Sequence, residues 1–258
     1  MIKCYTRSMS DELYKLMLSL CPSDWEFIRV LDSSALGYLE YILLNSESNN
    51  SDSNSNWILN LDEDCFLINY KQIYSLIDYL ENNNFDYSGI QDGGSIPVRI
   101  HNPLVVNPFF NLFNTEKLNS MRGNYKRNSY DVKEMEGKYS HLVKFLNYQY
   151  KYDLFEPFYN FFFWLLESGL NPFFHNAKQY DKEKYLVISP IFRIIPYYNS
   201  PTIIYDNNDI EIGLHTWHSR YINYPNIRNR ILNCYNYAKK RTEISQEKKN
   251  IETIKLGK

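Results

Sequence analysis

The sequence predicts an α/β fold, with a Rossmann-like, mostly parallel central sheet flanked by helices and a single domain whose C-terminal half is elaborated. Three observations predict it. Strand-like and helix-like segments alternate through the first eighty residues at the spacing of a doubly wound sheet. Of the 258 residues, 44% are hydrophobic and 22% charged, enough apolar material for one sizeable core and too much for a disordered chain. No run approaches the roughly 18 apolar residues needed to cross a bilayer.

The elements follow in order. Met1 to Arg7 (MIKCYTR) is a short strand, and Ser10-Asp11-Glu12 opens a helix with Leu13, Leu16, Met17 and Leu20 on one face. Cys21-Pro22-Ser23 ends it. Trp25 to Leu31 (WEFIRVL) is a second strand, closed by Asp32-Ser33-Ser34, and Leu36 to Leu44 is helical. The polar stretch from Asn45 to Asn56 reads as a surface loop. Trp57 to Leu61 is a third strand, followed by Asp62-Glu63-Asp64 and a helix from Cys65 to Leu80. From Phe85 to Tyr130 the pattern loosens into turns, with Val105 to Phe113 a buried strand or short helix and a helix near Leu112 to Met121. Lys138 to Tyr150 and Pro157 to Ser168 read as helices, Tyr185 to Ile188 and Thr202 to Tyr205 as late strands, and Tyr221 onward as a basic helix that frays beyond Ser245. No linker separates two cores. The expectation is one domain over residues 1–240 and a basic extension over 241–258.

Charge and cysteines narrow the classes. The net charge of −2 gives no general attraction to nucleic acid. From Asn226 to Lys258 nine Lys/Arg stand against three Glu, a local +6, so the rest carries −8. Each basic residue near an anionic bilayer contributes about 1 kcal/mol, so this tail suggests a weak peripheral membrane contact, or simply a solvated end. Cys4, Cys21, Cys65 and Cys234 form no CxxC pair. With no secretory signal at the start, they point to a reducing, cytoplasmic setting rather than a disulfide or zinc scaffold.

Chemistry concentrates at the carboxyl ends of the expected strands, where open α/β sheets bind ligands. Arg7, Asp32 and Asp62 to Asp64 all fall there. Two carboxylates one residue apart at a strand end can reach one hard cation, and that cation neutralises a diphosphate leaving group. The bland reading is an acidic turn. Late in the chain, Gly213 to Arg220 (GLHTWHSR) offers imidazoles suited to Mn²⁺ and an arginine, Arg220, suited to a phosphate. No GxGxxG or GxxxxGK[ST] loop is present.

The order MIKCYTR, WEFIRVLD, WILNLDEDCF resembles nucleotide-sugar-dependent glycosyltransferases of the GT-A fold, which carry a DxD motif after a central strand. The resemblance covers residues 1–80 clearly. It implies a nucleotide-binding half over about 1–110 and an acceptor half over about 111–240. It also implies a Mn²⁺ (or Mg²⁺) cofactor, a nucleotide-diphosphate sugar with a UDP-sugar favoured, and a glycan, protein or lipid-linked acceptor. Carried onto this chain, Asp64 becomes a metal ligand and Asp62 a metal or nucleotide-sugar contact. Thr6, Arg7 and more weakly Asp32 lie near the nucleotide, and Asp92 becomes a sugar contact. His215 or His218 completes the metal site. Glu156, with Asp153 an equal rival, is the carboxylate that deprotonates the acceptor. Two alternatives stay open. Haloacid-dehalogenase-like phosphohydrolases also place DxD after an apolar strand, and Asp206-Asn207-Asn208-Asp209 would supply a downstream acidic pair; against them, the motif here follows two earlier strand–helix units. A non-catalytic carbohydrate-binding protein could use the same fold without turnover.

Overall fold

The computed structural model describes residues 2–46, 56–96, 99–143, 146–180, 186–187, 197–198, 201–217, 219–242 and 250–256. Strand β1 (Lys3–Ser8) leads into helix α1 (Asp11–Leu18), whose first turn is capped by the Ser10 hydroxyl accepting from the Leu13 amide. Strand β2 (Glu26–Leu31) is followed by α2 (Ala35–Asn45), capped in the same way by Ser34 on the Gly37 amide. Next come β3 (Trp57–Leu61), β4 (Cys65–Leu67) and α3 (Lys71–Asn82). The middle of the chain supplies β5 (Tyr87–Gln91), β6 (Val106–Asn114), α4 (Thr115–Met121), α5 (Val132–Tyr139) and α6 (Tyr159–Glu167). The remainder consists of β7 (Pro172–Phe174), β8 (Ala177–Gln179), the short pair β9 (Leu186–Val187) and β10 (Tyr197–Tyr198), β11 (Thr202–Tyr205), β12 (Glu211–His215), α7 (Pro225–Lys239) and β13 (Asn250–Lys255).

The central sheet has the order β13-β2-β1-β3-β6-β5-β7. Only β6 runs against its neighbours; the other pairs are parallel, as the alternation of elements predicts. Successive residues of each strand feed opposite faces. Cys4, Phe27 and Leu59 pack with Leu13 and Met17 of α1, Ile73 and Leu76 of α3 and Ile231 of α7. Tyr5, Ile28 and Ile58 pack with Tyr38 and Ile42 of α2 and with Phe161 to Leu166 of α6. The sheet is therefore covered on both sides, which is why its strands read as nearly continuous apolar runs. The aromatic run of α6 is core.

Several expectations are corrected. The segment after the acidic triplet does not open as a helix. Cys65, Phe66 and Leu67 are buried and pair antiparallel with β12, which builds a second sheet in the order β4-β12-β11-β8. The turn-rich region conceals β5, whose Tyr87-Ser88-Gly89-Ile90-Gln91 lacks an alternating pattern because every residue is buried. Helix α5 ends at Tyr139, where Lys138 to Tyr150 was expected to be helical. The largest correction concerns the tail. Residues 250–255, expected to fray, add a parallel strand to β2 over the full register Asn250↔Glu26 to Lys255↔Leu31. Backbone pairing at an open sheet edge needs little side-chain signal, so two isolated isoleucines sufficed.

Among the described residues no helix is long and apolar enough to cross a membrane. All four cysteines are buried thiols.

Candidate active site

A cleft of about 580 Å³ opens at the carboxyl ends of β1 and β3. Because β6 runs against β3, its amino end reaches the same place, and the end of β12 closes the opposite side. Arg7, Arg99 and Arg220 line the cleft with Asp62, Glu63, Asp64, Glu156 and His215.

The triplet after β3 divides its work. Asp62 is fixed by its amide, which donates to Phe109 O at 3.0 Å, and its Oδ2 accepts from Arg7 Nη2 at 3.0 Å. Its Oδ1 is buried with no hydrogen-bond partner among the described residues. Burial pushes the Asp62 carboxyl up, against the opposing pull of Arg7. Glu63 turns away into the fold, where its Oε2 accepts from Ser8 Oγ (2.6 Å) and from the Met9 and Ser10 amides (both 3.0 Å). It ties β3 to the start of α1, and burial raises its carboxyl to about 7 despite those bonds. Asp64 points toward β12, with Oδ1 3.2 Å from His215 Nε2 and its carbonyl accepting from the Thr216 amide at 3.0 Å. Burial alone would raise Asp64; the His215 ring, Ser219 and Arg7 overcome that and hold it at about 2.

His215 is itself held tightly. Its ring stacks on Phe109 at 3.9 Å and 5° and meets Trp217 edge-on at 4.4 Å. Its Nδ1 is buried and without a partner among the described residues. Trp217 sits at a φ of 58° and donates its indole N–H to Thr202 Oγ1 at 2.8 Å, so the turn after β12 is fixed from two sides.

The other expected residues separate into two groups. Arg7, Asp62, Asp64, Glu156, His215 and Arg220 meet in the cleft. Thr6, Asp32, Asp92 and Asp153 do not line it. Thr6 is fully buried in β1. Asp32 has a φ of 53°, is 46% exposed and lies 3.6 Å from Lys255 on the edge strand. Asp92, expected to touch a sugar, is buried behind Arg99, which donates to it from Nε (2.7 Å) and Nη2 (2.5 Å); Asn107 Nδ2 (2.8 Å) and the Tyr159 hydroxyl complete the clamp. Asp153, the rival to Glu156, pairs instead with His101 Nδ1 at 3.0 Å and with Lys151 at 3.3 Å. His218 lies outside the described residues.

Sequence reasoning missed Arg99, Asn107, Phe109, Trp217 and the Ser34-Ala35-Leu36 start of α2, all of which line the cleft. The signal for Arg99 lay in Gly93. A Cβ there would come within 1.8 Å of His101 O, so only glycine allows the Gly93–Ile100 bridge beside which Arg99 meets Asp92.

No family model matches the sequence, and no curated protein matches it. Solved structures similar to it in part include a mannosyltransferase from Pyrobaculum calidifontis in complex with GDP-Man and Mn²⁺ (9% identity, TM-score 0.30, covering 46% of each chain). A Drosophila β1,4-galactosyltransferase 7 complex with manganese, UDP-Gal and xylobiose is 14% identical, with a TM-score of 0.39 over 96% of this chain and 83% of that one. A glycosyltransferase involved in glycosylation of the major capsid of PBCV-1 is 16% identical, with a TM-score of 0.32 over 58% and 81%. The chain thus spans less than half the length of the mannosyltransferase structure.

Proposed function

We propose that this chain is a metal-dependent glycosyltransferase that moves a sugar from a nucleotide-diphosphate sugar, with UDP-sugars the first candidates, to an acceptor hydroxyl. One observation carries the reading: Asp62 and Asp64 enter the same cleft as His215, three arginines and a separate carboxylate, Glu156. A purely structural acidic turn would spend its carboxylates on the fold, as Glu63 does.

The residues fit a divalent cation, Mn²⁺ or Mg²⁺, of mixed oxygen and nitrogen ligation. Asp64 and His215 would hold it, and the buried Oδ1 of Asp62, without a partner among the described residues, is a further candidate ligand. Among the described residues no three His, Cys, Asp or Glu come together as a metal site, so a cation held here would need ligands from the substrate as well. Bound there, the cation neutralises the leaving diphosphate. The protein does the rest. Arg99 and Arg220 face the developing charge, and Arg7 keeps Asp62 in place. Glu156 takes the proton of the acceptor hydroxyl as its oxygen bonds to the anomeric carbon; the bond from that carbon to the diphosphate breaks, and its electron pair leaves on the nucleoside diphosphate.

The test is thermal stability with Mn²⁺ and a panel of nucleoside diphosphates, UDP first. Stabilisation that needs both ligands is expected, because only a joint complex binds the folded state tightly. Turnover of phosphomonoesters with Mg²⁺ would overturn the reading in favour of a phosphohydrolase. Sugar binding with no response to metal or nucleotide would leave a carbohydrate-binding protein.

A further inference from the structure

Beside the cleft, two loops carry an aromatic surface that the transfer chemistry does not use. The segment 146–155 forms no regular element and is sewn to the 94–100 loop by three backbone bonds: Asn147 and Tyr148 amides to Gly94 O (3.0 and 3.2 Å) and the Lys151 amide to Ile100 O (2.9 Å). It ends at Leu154 and Phe155, which are 44% and 56% exposed, immediately before Glu156 enters the cleft. Phe155 is not a loose surface ring. One of its faces stacks on His101 with centroids 3.7 Å apart and planes 10° from parallel. Asp153 anchors that imidazole through Nδ1 at 3.0 Å, and Asn102 Nδ2 donates to the Asp153 carbonyl at 3.0 Å. A half-exposed phenyl ring held in this way costs little further entropy when something flat settles on it.

We propose that Phe155, backed by the His101–Asp153 pair, is the platform on which a carbohydrate acceptor stacks its apolar ring face, one residue from the carboxylate that takes its proton. The proposal rests on the transferase reading and adds the acceptor class to it. A sugar fits better than an alkyl chain for two reasons on the surface itself. The His101 ring that backs Phe155 is bonded at 3.0 Å by Asp153, itself paired with Lys151 at 3.3 Å, so charged groups that can bond hydroxyls stand beside the platform. The ring is also pre-oriented as a single flat plane, which suits the CH face of a pyranose and gives a flexible chain no advantage.

Saturation-transfer NMR on the full chain tests this with methyl glycosides of glucose, galactose, xylose and N-acetylglucosamine, and with the decyl glycosides of the same sugars. The expected result is saturation of the sugar-ring protons of at least one methyl glycoside. Binding should fall about tenfold in Phe155→Ala and be retained in Phe155→Trp. Phe155 is on the surface, so both variants keep the fold, and the joint stabilisation by Mn²⁺ and nucleoside diphosphate should be unchanged in each. Binding equal to wild type in Phe155→Ala, or saturation confined to decyl chains, overturns the platform. A nucleotide response with no glycoside bound also overturns the platform while leaving the transferase reading standing. Absence of both responses in the wild type removes the two together.

Discussion

Two buried carboxylate sites stand near the carboxyl ends of neighbouring parts of one sheet, and they are used in opposite ways. Beyond β5, Asp92 receives four bonds from Arg99, Asn107 and Tyr159, and no part of it lines the cleft. Beyond β3, Asp62 has one side-chain donor and a buried oxygen without a partner among the described residues, and Asp64 faces the His215 ring at 3.2 Å and the Thr216 hydroxyl at 3.5 Å, at the wall of the cleft. Burial is similar in the two places. What differs is that the fold surrounds Asp92 with donors behind the cleft wall, whereas it leaves one oxygen of Asp62 without a donor among the described residues and sets both Asp62 and Asp64 on the cleft, where a ligand can reach them.

Breaking the saturated site should have the largest effect. Asp92→Ala takes the counter-charge from Arg99, whose side chain is only 18% exposed, and the acceptor from Asn107 and the Tyr159 hydroxyl, and should cost about 3–4 kcal/mol, read as the shift of the urea midpoint. A loss below about 1 kcal/mol would show that the clamp is not structural.

The two buried histidines sharpen the same contrast. His175 has both ring nitrogens satisfied, by Tyr205 O at 3.1 Å and Ser88 Oγ at 2.9 Å, and burial lowers it from 6.5 to about 4. The folded chain therefore binds fewer protons there than the unfolded chain between these values. The associated stability is complete above pH 6.5 and is lost as pH falls toward 4, on the order of 3 kcal/mol. Denaturation across that window should slope in the wild type and flatten in His175→Gln. An equal slope in both would assign it elsewhere.

The open site predicts function without fold. Asp64→Asn should weaken Mn²⁺ binding at least tenfold, about 1.4 kcal/mol, with folding stability within about 1 kcal/mol of wild type. Undiminished Mn²⁺ affinity by calorimetry would remove Asp64 from the site. The smallest effect concerns the cleft wall at the start of α2. Ser34→Ala removes the cap on the Gly37 amide (3.1 Å) and should cost about 1 kcal/mol, measurable by thermal denaturation.

How far the sequence discloses all this depends on how local each signal is. The run from β1 to β3 is legible because both faces of those strands are buried and their flanking helices carry their own caps. β4 and β13 are not legible. Each is a short segment whose state is decided by a partner far along the chain, β12 for one and β2 for the other. The site follows the same rule. Arg7, Asp62 and Asp64 sit at strand ends that pattern alone identifies, and His215 and Glu156 joined them on the strength of a resemblance. Asp92 misled because residue type and turn context cannot count the donors waiting in Arg99, Asn107 and Tyr159. Likewise nothing in Asp153-Leu154-Phe155-Glu156 reveals that its first acid is taken by His101 and its last faces the cleft.

The strand contributed by residues 250–255 has a consequence for the order of assembly. It completes the sheet beside β2 across an intervening stretch that includes every other element after Leu31. Until that segment arrives, the Glu26–Leu31 backbone is a bare ladder edge, a template for any extended chain nearby. Loop closure over such a distance costs only slightly more than over half of it, so the pairing is affordable at equilibrium but late in time. A refolding chain should protect the β1–β3 amides from hydrogen exchange before it protects those of β13, and crowding among half-assembled copies should be felt first along β2.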